Sequence, residues 1–519
     1  MNSAKPSSVS NVKQEPSSPD RRKFIGTVAA TAVGLTVVPR HVLGGKGYTA
    51  PSDKVNVAYI GVGTQGLREL GELLELPDVQ VTAVCDAQLK AINYYDWDPE
   101  SLRNMIRSKT GNPTWNTGGN NSIPGGLECG KYLIDGYYAK KNPGEKLTGC
   151  KAYTDFRELF AKEKPDAVKV LTTDHVHGII AMAAIKRGIS VTLHKPISNR
   201  LHEGKRVIDM AGKSDVVTHL IPWDVNGNMD QVMDWINGGK IGNLKEIHNW
   251  SYRPVWPQYH EKPADTPRVP KGFDWDLWLG PEAYRPYHPH YTNMVFRGWY
   301  DFGGGSMADM GHYSLWCVFN ALELEGPVLV EPNMSHVCNL IDNTTANKIA
   351  NDFSFPHASS VRFRYPATSK RQAVDLFWYD GGMRPQTPAA FFDQGVELPS
   401  EGMMFIGENG IIMSSQFLLR EPYLLADGIK PSEDVPPASG AVKLPGIRRF
   451  IDGVKTGQQI DGSFRQAWPI TEAVNLYAAA LRSGSLLKYD PKQMKITNNE
   501  AANKYLSREY RTGWEPEKI

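Results

Sequence analysis

Three side chains in the second half of the sequence have the types and spacing for acid–base chemistry on a hydroxyl group. Asp309 and Tyr313 are four residues apart, so in a helix they would share one face, and His312 lies three residues from Asp309. Oxidation of an alcohol requires a group that takes the hydroxyl proton as the hydride leaves. A structural alternative exists, because Ser306 and Asp309 also have the spacing of a helix capping box. We treat Asp309, His312 and Tyr313 as candidate catalytic residues.

A glycine-rich turn, "GVGTQG", has the G-x-G-x-x-G spacing of a dinucleotide-binding loop. An apolar run, "KVNVAYI", precedes it as a predicted strand, and "LRELGELLEL" follows with helical spacing. Glycines in such a turn let the backbone approach a pyrophosphate, and the helix N-terminus then faces the negative charge. The sequence therefore predicts cofactor-binding residues in this turn: Gly61, Gly63, Thr64, Gln65 and Gly66.

Asp86 ends the next predicted strand, twenty residues after Gly66. An acid at this place accepts hydrogen bonds from ribose hydroxyls and repels a 2′-phosphate, which favours NAD over NADP. The alternative is a turn residue at the end of a strand. Residues 94–150, rich in Gly, Asn and Pro, are interpreted as an insertion that carries one or two short helices.

Strands and helices alternate again after residue 150, which predicts a doubly wound parallel sheet. Ligands of such sheets lie at the carboxyl ends of the strands. Polar residues at two of these strand ends are further candidates for cofactor binding: Thr172, Thr173, His175, His177, His194 and Lys195. Two alternatives stay open, because Lys195 could be a surface lysine, and either His175 or His177 could be an ordinary core histidine.

Four motifs in order, "GVGTQG", "TTDHVH", "HKP" and "GWYDFGGGSMADMGHYSLW", resemble those of the Gfo/Idh/MocA family of sugar-handling oxidoreductases, in particular its branch exported by the twin-arginine (Tat) pathway. The resemblance implies an N-terminal Rossmann domain and a C-terminal α/β domain with a large open, mainly antiparallel sheet, with the active site between them. We place the NAD-binding domain at residues 51–200 and the substrate and oligomerisation domain at residues 201–519. The resemblance also implies a homo-oligomer, either a dimer or a tetramer.

The resemblance implies roles for individual residues as well. Lys195 matches the lysine of the family's E-K-P motif, which lies beside the nicotinamide and the reacting hydroxyl, and Asp309 and Tyr313 match a D-x-x-x-[HY] pair. Lys195 would hold the alkoxide-like oxygen, and Asp309 would position or relay the proton. The sequence departs from the pattern at His194, which replaces the glutamate of E-K-P, and His312 could compete with Tyr313 as the proton-transfer group.

Tryptophans are dense between residues 250 and 316, and in a sugar enzyme a few such rings would stack on the pyranose face. Arg297 and Trp299 precede the run of three glycines at 303–305 and are candidate substrate-binding residues. Trp223 and Asn226 follow an apolar strand that should open into the cleft, and they complete the set.

The N-terminus predicts export to the periplasm. Arg21 and Arg22 precede a moderately apolar run from residue 25 to residue 38, which is the order of a Tat signal, and residues 1–50 are interpreted as signal and linker. The alternative is a chance basic pair before a small amphipathic helix. A formal net charge of +2 argues against a nucleic-acid partner. We expect no membrane span in the mature protein, and the five cysteines match no zinc spacing, so we expect no metal.

The Tat route carries folded proteins, so NAD could leave the cytoplasm already bound. We therefore predict an NAD-dependent oxidoreductase that acts on a hydroxyl, at C3, of a sugar or glycoside with a tightly bound, internally recycled cofactor. NADP is the less favoured cofactor. One alternative is an NAD-dependent glycosidase that works by transient oxidation and elimination. Another is a non-catalytic sugar-binding protein that retains the fold.

Overall fold

The structure is a computed structural model that describes residue 1 and residues 53–119, 122–143, 149–221, 227–416, 418–425 and 446–519. Residues 54–519 form one compact unit. The predicted Tat signal, with Arg21 and Arg22, lies outside the described residues, as do Trp223 and Asn226. Within the described ranges, no helix is long and apolar enough to cross a membrane.

Parallel strands form the first sheet. Their bounds are β1 (Val55–Ile60), β2 (Val79–Cys85), β5 (Lys151–Tyr153), β6 (Ala167–Val170), β7 (Ser190–His194) and β8 (Thr218–Ile221). Their order is β5-β2-β1-β6-β7-β8. Every residue of β6 and β7 is buried, as expected of parallel strands that are covered on both faces. The sheet includes β8 and thus continues past the expected domain boundary at residue 200.

Helices cover both faces of this sheet in two groups. In chain order they are α1 (Thr64–Leu73), α2 (Pro99–Thr110), α3 (Leu127–Lys141), α4 (Phe156–Lys162), α5 (Asp174–Ile185) and α6 (Leu201–Ala211). Helices α1, α2 and α3 contact one another, and α5 contacts both α4 and α6. The two groups contribute to separate buried apolar clusters, which is the arrangement of a doubly wound sheet.

An inserted segment, residues 91–125, separates β2 from the crossover helix α3. It consists of β3 (Ala91–Tyr95), α2 and β4 (Ser122–Gly125), and β3 and β4 pair as an antiparallel hairpin. Asp98 caps α2, because its side chain accepts a hydrogen bond from the Ser101 backbone N–H. Gly111 ends the helix in a left-handed conformation.

The second sheet is built from later parts of the chain. Its strands are β9 (Leu244–Trp250), β10 (Leu329–Met334), β13 (Ser359–Tyr365), β14 (Val374–Asp380), β15 (Gly402–Gly407), β16 (Ile411–Ser414), β17 (Tyr423–Leu425), β18 (Leu487–Asp490) and β19 (Lys495–Ile496). The order is β17-β16-β15-β9-β14-β13-β10-β18-β19, and neighbours are antiparallel except β9 and β14. A separate exposed hairpin pairs β11 (Cys338–Ile341) with β12 (Thr345–Lys348). These sheets confirm the predicted fold class, a Rossmann domain followed by an α/β domain with a large, mainly antiparallel sheet.

Six further α-helices follow β8 among the described residues. They are α7 (Met229–Asn237), α8 (Trp275–Leu279), α9 (His312–Ala321), α10 (Ala389–Phe392), α11 (Gly446–Thr456) and α12 (Trp468–Ser483). Helix α12 contacts α9 and strand β10, and it also contacts α6 beside the parallel sheet. Because α12 touches both halves, it fixes α9 relative to the ends of the parallel strands.

Candidate active site

The end of β7 and the turn before α9 bring a lysine and an aspartate into contact. Lys195 follows β7, is 1% exposed, and has its Nζ 2.5 Å from Asp309 Oδ1. Burial lowers the pKa of Lys195 to about 8, and the carboxylate of Asp309 opposes this shift. Burial would raise the pKa of Asp309, but the charges of Lys195 and Arg297 hold it well below its usual range. The two side chains therefore form an ion pair in which Lys195 is buried and Asp309 is partly exposed.

Tyr313 and His194 lie next to this ion pair. The Tyr313 hydroxyl is 3.2 Å from His194 Nε2, and Lys195 Nζ lies 5.0 Å from the centroid of the Tyr313 ring. Burial lowers the pKa of His194 well below its ordinary value, and the nearby charge of Lys195 lowers it further. His194 is therefore neutral at pH 7, and its ring nitrogen can accept a hydrogen bond from the phenol.

His312, the competing candidate, points into the helix instead. Its Nδ1 lies 3.0 Å from the Ala308 backbone oxygen, which fits an N–H that donates to the preceding turn. Burial, followed by the charge of Lys195, lowers the pKa of His312 to about 3. Its Nε2 is buried and has no hydrogen-bond partner among the described residues. This geometry favours Tyr313 over His312 as the group that reaches a substrate.

The backbone before α9 is a π-helical turn, Met307–Gly311. Such turns are rare and occur frequently at functional sites. The capping-box interpretation of Ser306 is wrong, because its hydroxyl donates to the Arg253 backbone oxygen and forms no cap bond. The preceding glycines have a packing role instead, since a Cβ at Gly303 would lie 2.5 Å from Arg297 Cα.

Arg297 lies between two carboxylates. Its Nε is 3.4 Å from Asp309 Oδ1, and its Nη2 is 3.7 Å from Asp174 Oδ1. Asp174 begins α5 at the end of β6, and its other oxygen accepts a hydrogen bond from the Gly304 backbone N–H. Arg297 therefore links Asp174, near the carboxyl end of β6, to the segment that carries Asp309. A residue that lines the cleft is expected at such a position.

Trp299 has a different environment from Arg297. It is 1% exposed and packs in an aromatic cluster, with Tyr259 stacked at a centroid distance of 4.2 Å. Its indole N–H donates to the His290 backbone oxygen. Tyr259, Tyr291 and Phe353 surround the ring, so this placement does not favour direct stacking on a sugar.

The glycine-rich turn has the close packing that its glycines predict. Gly61 has a φ of 94°, and a Cβ there would lie 2.3 Å from the Leu171 backbone oxygen. A Cβ at Gly66 would lie 2.2 Å from the Gly61 oxygen. Helix α1 starts at Thr64 with no side-chain cap and no acidic residue in its first turn. Its first backbone N–H groups therefore fit an anion such as a pyrophosphate.

Asp86 lies at the end of β2, beside this turn. Its Oδ2 accepts a hydrogen bond from the Val62 backbone N–H and its Oδ1 accepts one from Gln88. Burial raises the pKa of Asp86 to about 6, although these two hydrogen bonds oppose the shift. Each carboxylate oxygen keeps a second lone pair for a ribose hydroxyl. The turn and Asp86 together fit the pyrophosphate and ribose of NAD.

The two histidines of α5 contact backbone oxygens of neighbouring segments. His175 contacts the backbone oxygens of Phe302 and Trp278, and burial lowers its pKa to about 3. His177 lies between two backbone oxygens, with Nδ1 2.7 Å from Pro196 and Nε2 3.1 Å from Thr172. Both rings are fully buried, which fits the core-histidine alternative. Thr173 is the N-cap residue of α5 but makes no side-chain cap bond.

Two charged residues near His194 were not identified from the sequence. Glu69 on α1 and Lys169 in β6 form an ion pair of 2.8 Å, and Lys169 is 2% exposed. Glu69 Oε1 also lies 3.5 Å from His194 Nε2 and accepts a hydrogen bond from Gln65. A lysine in the middle of the apolar run "AVKVL" was the available signal, because a buried lysine requires an opposite charge.

Two sequence models of one oxidoreductase family match the chain. The Gfo/Idh/MocA model for "Oxidoreductase family, NAD-binding Rossmann fold" matches residues 133–221. The Gfo/Idh/MocA model for "Oxidoreductase family, C-terminal alpha/beta domain" matches residues 233–337. The first match contains Lys195, and the second contains Asp309 and Tyr313.

Curated proteins and solved structures show more distant similarity. Glycosyl hydrolase family 109 protein 1 of Akkermansia muciniphila is 22% identical over 201 residues, which are 38% of this chain and 34% of that protein. Myo-inositol 2-dehydrogenase of Thermotoga maritima is 29% identical over 136 residues, 26% of this chain and 39% of that protein. The matched region thus spans well under half the length of either relative. The WlbA dehydrogenase of Bordetella pertussis, solved with NADH and UDP-GlcNAcA, is 14% identical, with a TM-score of 0.47 and coverage of 84% of this chain and 99% of that chain.

Proposed function

Because the chain belongs to the Gfo/Idh/MocA family of oxidoreductases and has its NAD-binding Rossmann domain, we propose that it oxidises one hydroxyl group, at C3, of a sugar or glycoside. The observation that supports this proposal is the cluster of Lys195, Asp309, Tyr313 and His194 at the end of β7. NAD, when bound, supplies the acceptor for the hydride. The residues of the chain supply proton transfer and charge stabilisation.

Tyr313 relays the hydroxyl proton in this proposal: its oxygen accepts the proton of the substrate as its own proton passes along the hydrogen bond to His194 Nε2. Lys195 Nζ lies 5.0 Å from the centroid of the Tyr313 ring, so the positive charge lies beside the group that relays the proton. Lys195 also stabilises the substrate oxygen as negative charge develops on it. His194 holds the phenol through the hydrogen bond at its Nε2. A neutral imidazole suits this task because its Nε2 lone pair can take the proton of the phenol, and the Glu69 carboxylate lies 3.5 Å from that nitrogen.

Asp309 keeps Lys195 charged. Without a partner, a lysine that is 1% exposed would lose its proton, because burial disfavours the charged form. The 2.5 Å contact with Asp309 and the 3.4 Å contact of Asp309 with Arg297 hold the three side chains in one arrangement. Arg297 extends from this arrangement and is the proposed contact for the sugar, together with Trp223 and Asn226.

The cofactor is retained and recycled within each catalytic cycle in this proposal. The support is the N-terminal sequence, in which a pair of arginines precedes a weak apolar run, the order of a Tat signal that would deliver the folded protein to the periplasm. A second carbonyl compound could take the hydride back after each oxidation. The open sheet of the second half is the proposed contact between subunits of a homo-oligomer.

A glycosidase is the second candidate, favoured by the similarity to the Akkermansia protein named glycosyl hydrolase family 109 protein 1. In this reaction a C3 ketone acidifies the neighbouring C–H bond. Loss of that proton expels the glycosidic oxygen, water then adds to the double bond, and the returning hydride restores the hydroxyl. The same lysine and tyrosine would serve both reactions, and only the fate of the ketone differs.

The first experiment is to purify the exported protein, denature it and measure released NAD(H). The intact protein is then incubated with paired free sugars and aryl glycosides, and oxidised products and released aglycone are measured together. Stoichiometric NAD(H) with oxidised sugar supports the oxidoreductase, and stoichiometric NAD(H) with released aglycone supports the glycosidase.

Two results would contradict the proposal. A purified protein that holds no NAD(H) and binds it only weakly would remove the recycled cofactor. Bound NAD with no change in any sugar or glycoside would favour the non-catalytic sugar-binding alternative. Lys195→Gln is the matched inactive variant, and Lys213→Gln, at an exposed lysine, is its control.

A further inference from the structure

The inserted segment lies against the glycine-rich turn, where the fold would hold NAD. We propose that this segment retains the cofactor, and that the ring of Tyr94 closes the groove beside Gly63. The inference rests on the proposed function in one respect, since it explains how the recycled cofactor stays bound. It assigns a role to residues 91–125, which precede the region matched by the NAD-binding family model.

Two backbone contacts of the residues that directly follow the segment dock its end onto the turn. The Gly126 N–H donates to the Val62 oxygen at 2.9 Å, inside the G-x-G-x-x-G motif. The next N–H, of Leu127, donates to the Gln88 oxygen at 2.8 Å, just beyond Asp86. The end of the hairpin is therefore joined both to the turn and to the strand end that would face the adenosine ribose.

A buried ion pair anchors the other strand of the hairpin. Arg68, one turn into α1, pairs with Asp96, and its Nε lies 3.3 Å from Asp96 Oδ2. Asp96 is 3% exposed, so this carboxylate depends on its partner. The Arg68 guanidinium also lies 4.3 Å from the centroid of the Trp97 ring. Residues 96–97 are thus fixed to the helix whose N-terminus would face the pyrophosphate.

Tyr94 occupies the space between the two glycines at 63 and 125. Its ring lies 3.6 Å from the position that a Cβ would take at Gly63, an ordinary van der Waals contact. A Cβ at Gly125 would lie 2.6 Å from the same ring, so only glycine leaves room for it. The Tyr94 hydroxyl donates to Gln88 Oε1 at 3.3 Å. Burial raises the pKa of Tyr94, and the nearby charge of Asp86 adds to this shift.

A second segment, which contains Gly272 and Asp274, lies on the opposite side of the predicted adenosine site. The Leu89 N–H donates to the Gly272 oxygen at 2.7 Å, and the Asp274 N–H donates to the Ala87 oxygen at 2.9 Å. A cavity of about 450 Å³ lies here, lined by Ala87, Leu89, Thr154, Val269, Phe273 and Trp275. It adjoins the carboxyl ends of β2 and β5, where the adenine of a dinucleotide would extend from Asp86. In the proposal, NAD bound across this region leaves more slowly while the hairpin stays in place.

The test is the rate at which NADH leaves the folded protein. The full-length chain is loaded with NADH, excess NAD⁺ is added, and the loss of protein-bound NADH fluorescence is followed. Tyr94→Ala should speed release at least about tenfold, because it removes an aromatic wall of the groove. Tyr94→Phe, which keeps the ring, should stay close to the parent protein. Tyr95→Ala is the matched control, since this neighbouring ring is 55% exposed.

Arg68→Ala provides an independent variant, because it releases the hairpin without changing Tyr94. It should also speed the release of NADH, and thermal melting without NADH checks that each variant folds. The proposal is overturned if Tyr94→Ala and Arg68→Ala release NADH no faster than Tyr95→Ala. It is equally overturned if Tyr94→Ala binds NADH more tightly, because the ring would then be a wedge that competes with the cofactor.

The release rate is independent of turnover, so the two proposals can fail separately. Rapid release from the parent protein, with sugar oxidation that still depends on Lys195, contradicts retention by the inserted segment and leaves the oxidoreductase in place. Slow release that depends on Tyr94, with no reaction on any sugar, supports retention and contradicts the proposed reaction.

Discussion

The proposed catalytic cluster has two halves, which are largely buried but differ in charge. Lys195 and Asp309 are held as a contact ion pair, with the two charged atoms 2.5 Å apart. His194 and His312 lie beside them, and burial and the charge of Lys195 lower the pKa of both rings. The comparison teaches that a charge persists in this pocket only where an opposite charge touches it. His194 stays neutral although Glu69 Oε1 lies 3.5 Å from its Nε2, because that carboxylate is already paired with Lys169 at 2.8 Å.

This difference assigns separate tasks to the two halves. In the proposed reaction the charged half stabilises negative charge on a substrate oxygen, which requires a cation. The neutral half holds the Tyr313 hydroxyl, which requires a lone pair at His194 Nε2. Variants that remove a charge, a hydroxyl or a titrating ring should therefore have effects of different size and different pH dependence.

Removal of the cation should have the largest effect. Lys195→Gln should lower kcat about a thousandfold, because the developing charge loses its stabilising partner while Asp309 stays buried. Steady-state kinetics and the content of bound NAD(H) should be measured on the same preparation. Lys213→Gln, at an exposed lysine, should leave both unchanged. Comparable kcat values in the two variants would show that the charged half is structural.

Removal of the phenol should have the next largest effect. Tyr313→Phe should lower kcat about a hundredfold, because the group that accepts the substrate proton is lost while the ring and its contact with Lys195 remain. KM should change little. His312→Gln is the matched comparison on the adjacent residue and should have a smaller effect on kcat. A larger loss of kcat in His312→Gln than in Tyr313→Phe would instead assign the proton-transfer role to His312.

The ion pair should set an alkaline limit on activity. Because burial lowers the pKa of Lys195 to about 8, activity should fall as the pH rises through about 8 and the ammonium group loses its proton. The Asp309 carboxylate favours the charged form, so Asp309→Asn should move this limit to lower pH. The measurement is kcat/KM against pH for both proteins. An unchanged limit in Asp309→Asn would contradict this assignment.

The smallest expected effect comes from His312 in the neutral half. It concerns the free energy of unfolding rather than kcat. The pKa of His312 is lowered to about 3 by burial, so between pH 6.5 and about 3 the unfolded chain binds a proton at this residue and the folded protein does not. The free energy of unfolding should therefore fall on acidification through this window, by up to about 1.4 kcal/mol per pH unit for one proton. His312→Gln should show a shallower decline in denaturant titrations. Parallel declines would mean that His312 is protonated in the folded protein.

The sequence predicted the parts of the site that depend on local spacing. The turn at Gly61–Gly66 and Asp86 at the end of β2 follow from the strand–turn–helix pattern alone. The spacing of Asp309 and Tyr313 placed both side chains toward one cleft, and the structure brings them against Lys195 and His194. The turn and Asp86 need only the short-range geometry of a strand and a helix, whereas the contacts of Asp309 and Tyr313 with Lys195 and His194 depend on packing between distant parts of the chain.

Features that depend on long-range contacts could not be predicted in the same way. Ser306 has the spacing of a cap, yet its hydroxyl bonds to Arg253, which is distant in sequence. Trp299 precedes the glycines as a sugar-stacking residue would, but other aromatic side chains enclose it. Tyr94 lies in a segment that the sequence indicates as an insertion. Only the three-dimensional fold places its ring against Gly63. In each case the partner is specified by packing rather than by local sequence.

The most direct test of the central claim is a single-turnover experiment on protein that carries its own bound NAD. Aryl glycosides and free sugars are added in turn, and the near-ultraviolet absorbance of reduced nicotinamide is followed in the parent protein and in Lys195→Gln with equal bound NAD. The account predicts reduction in the parent protein with at least one sugar and a rate about a thousandfold lower in the variant. Equal rates in the two proteins, or no reduction with any sugar, would contradict it.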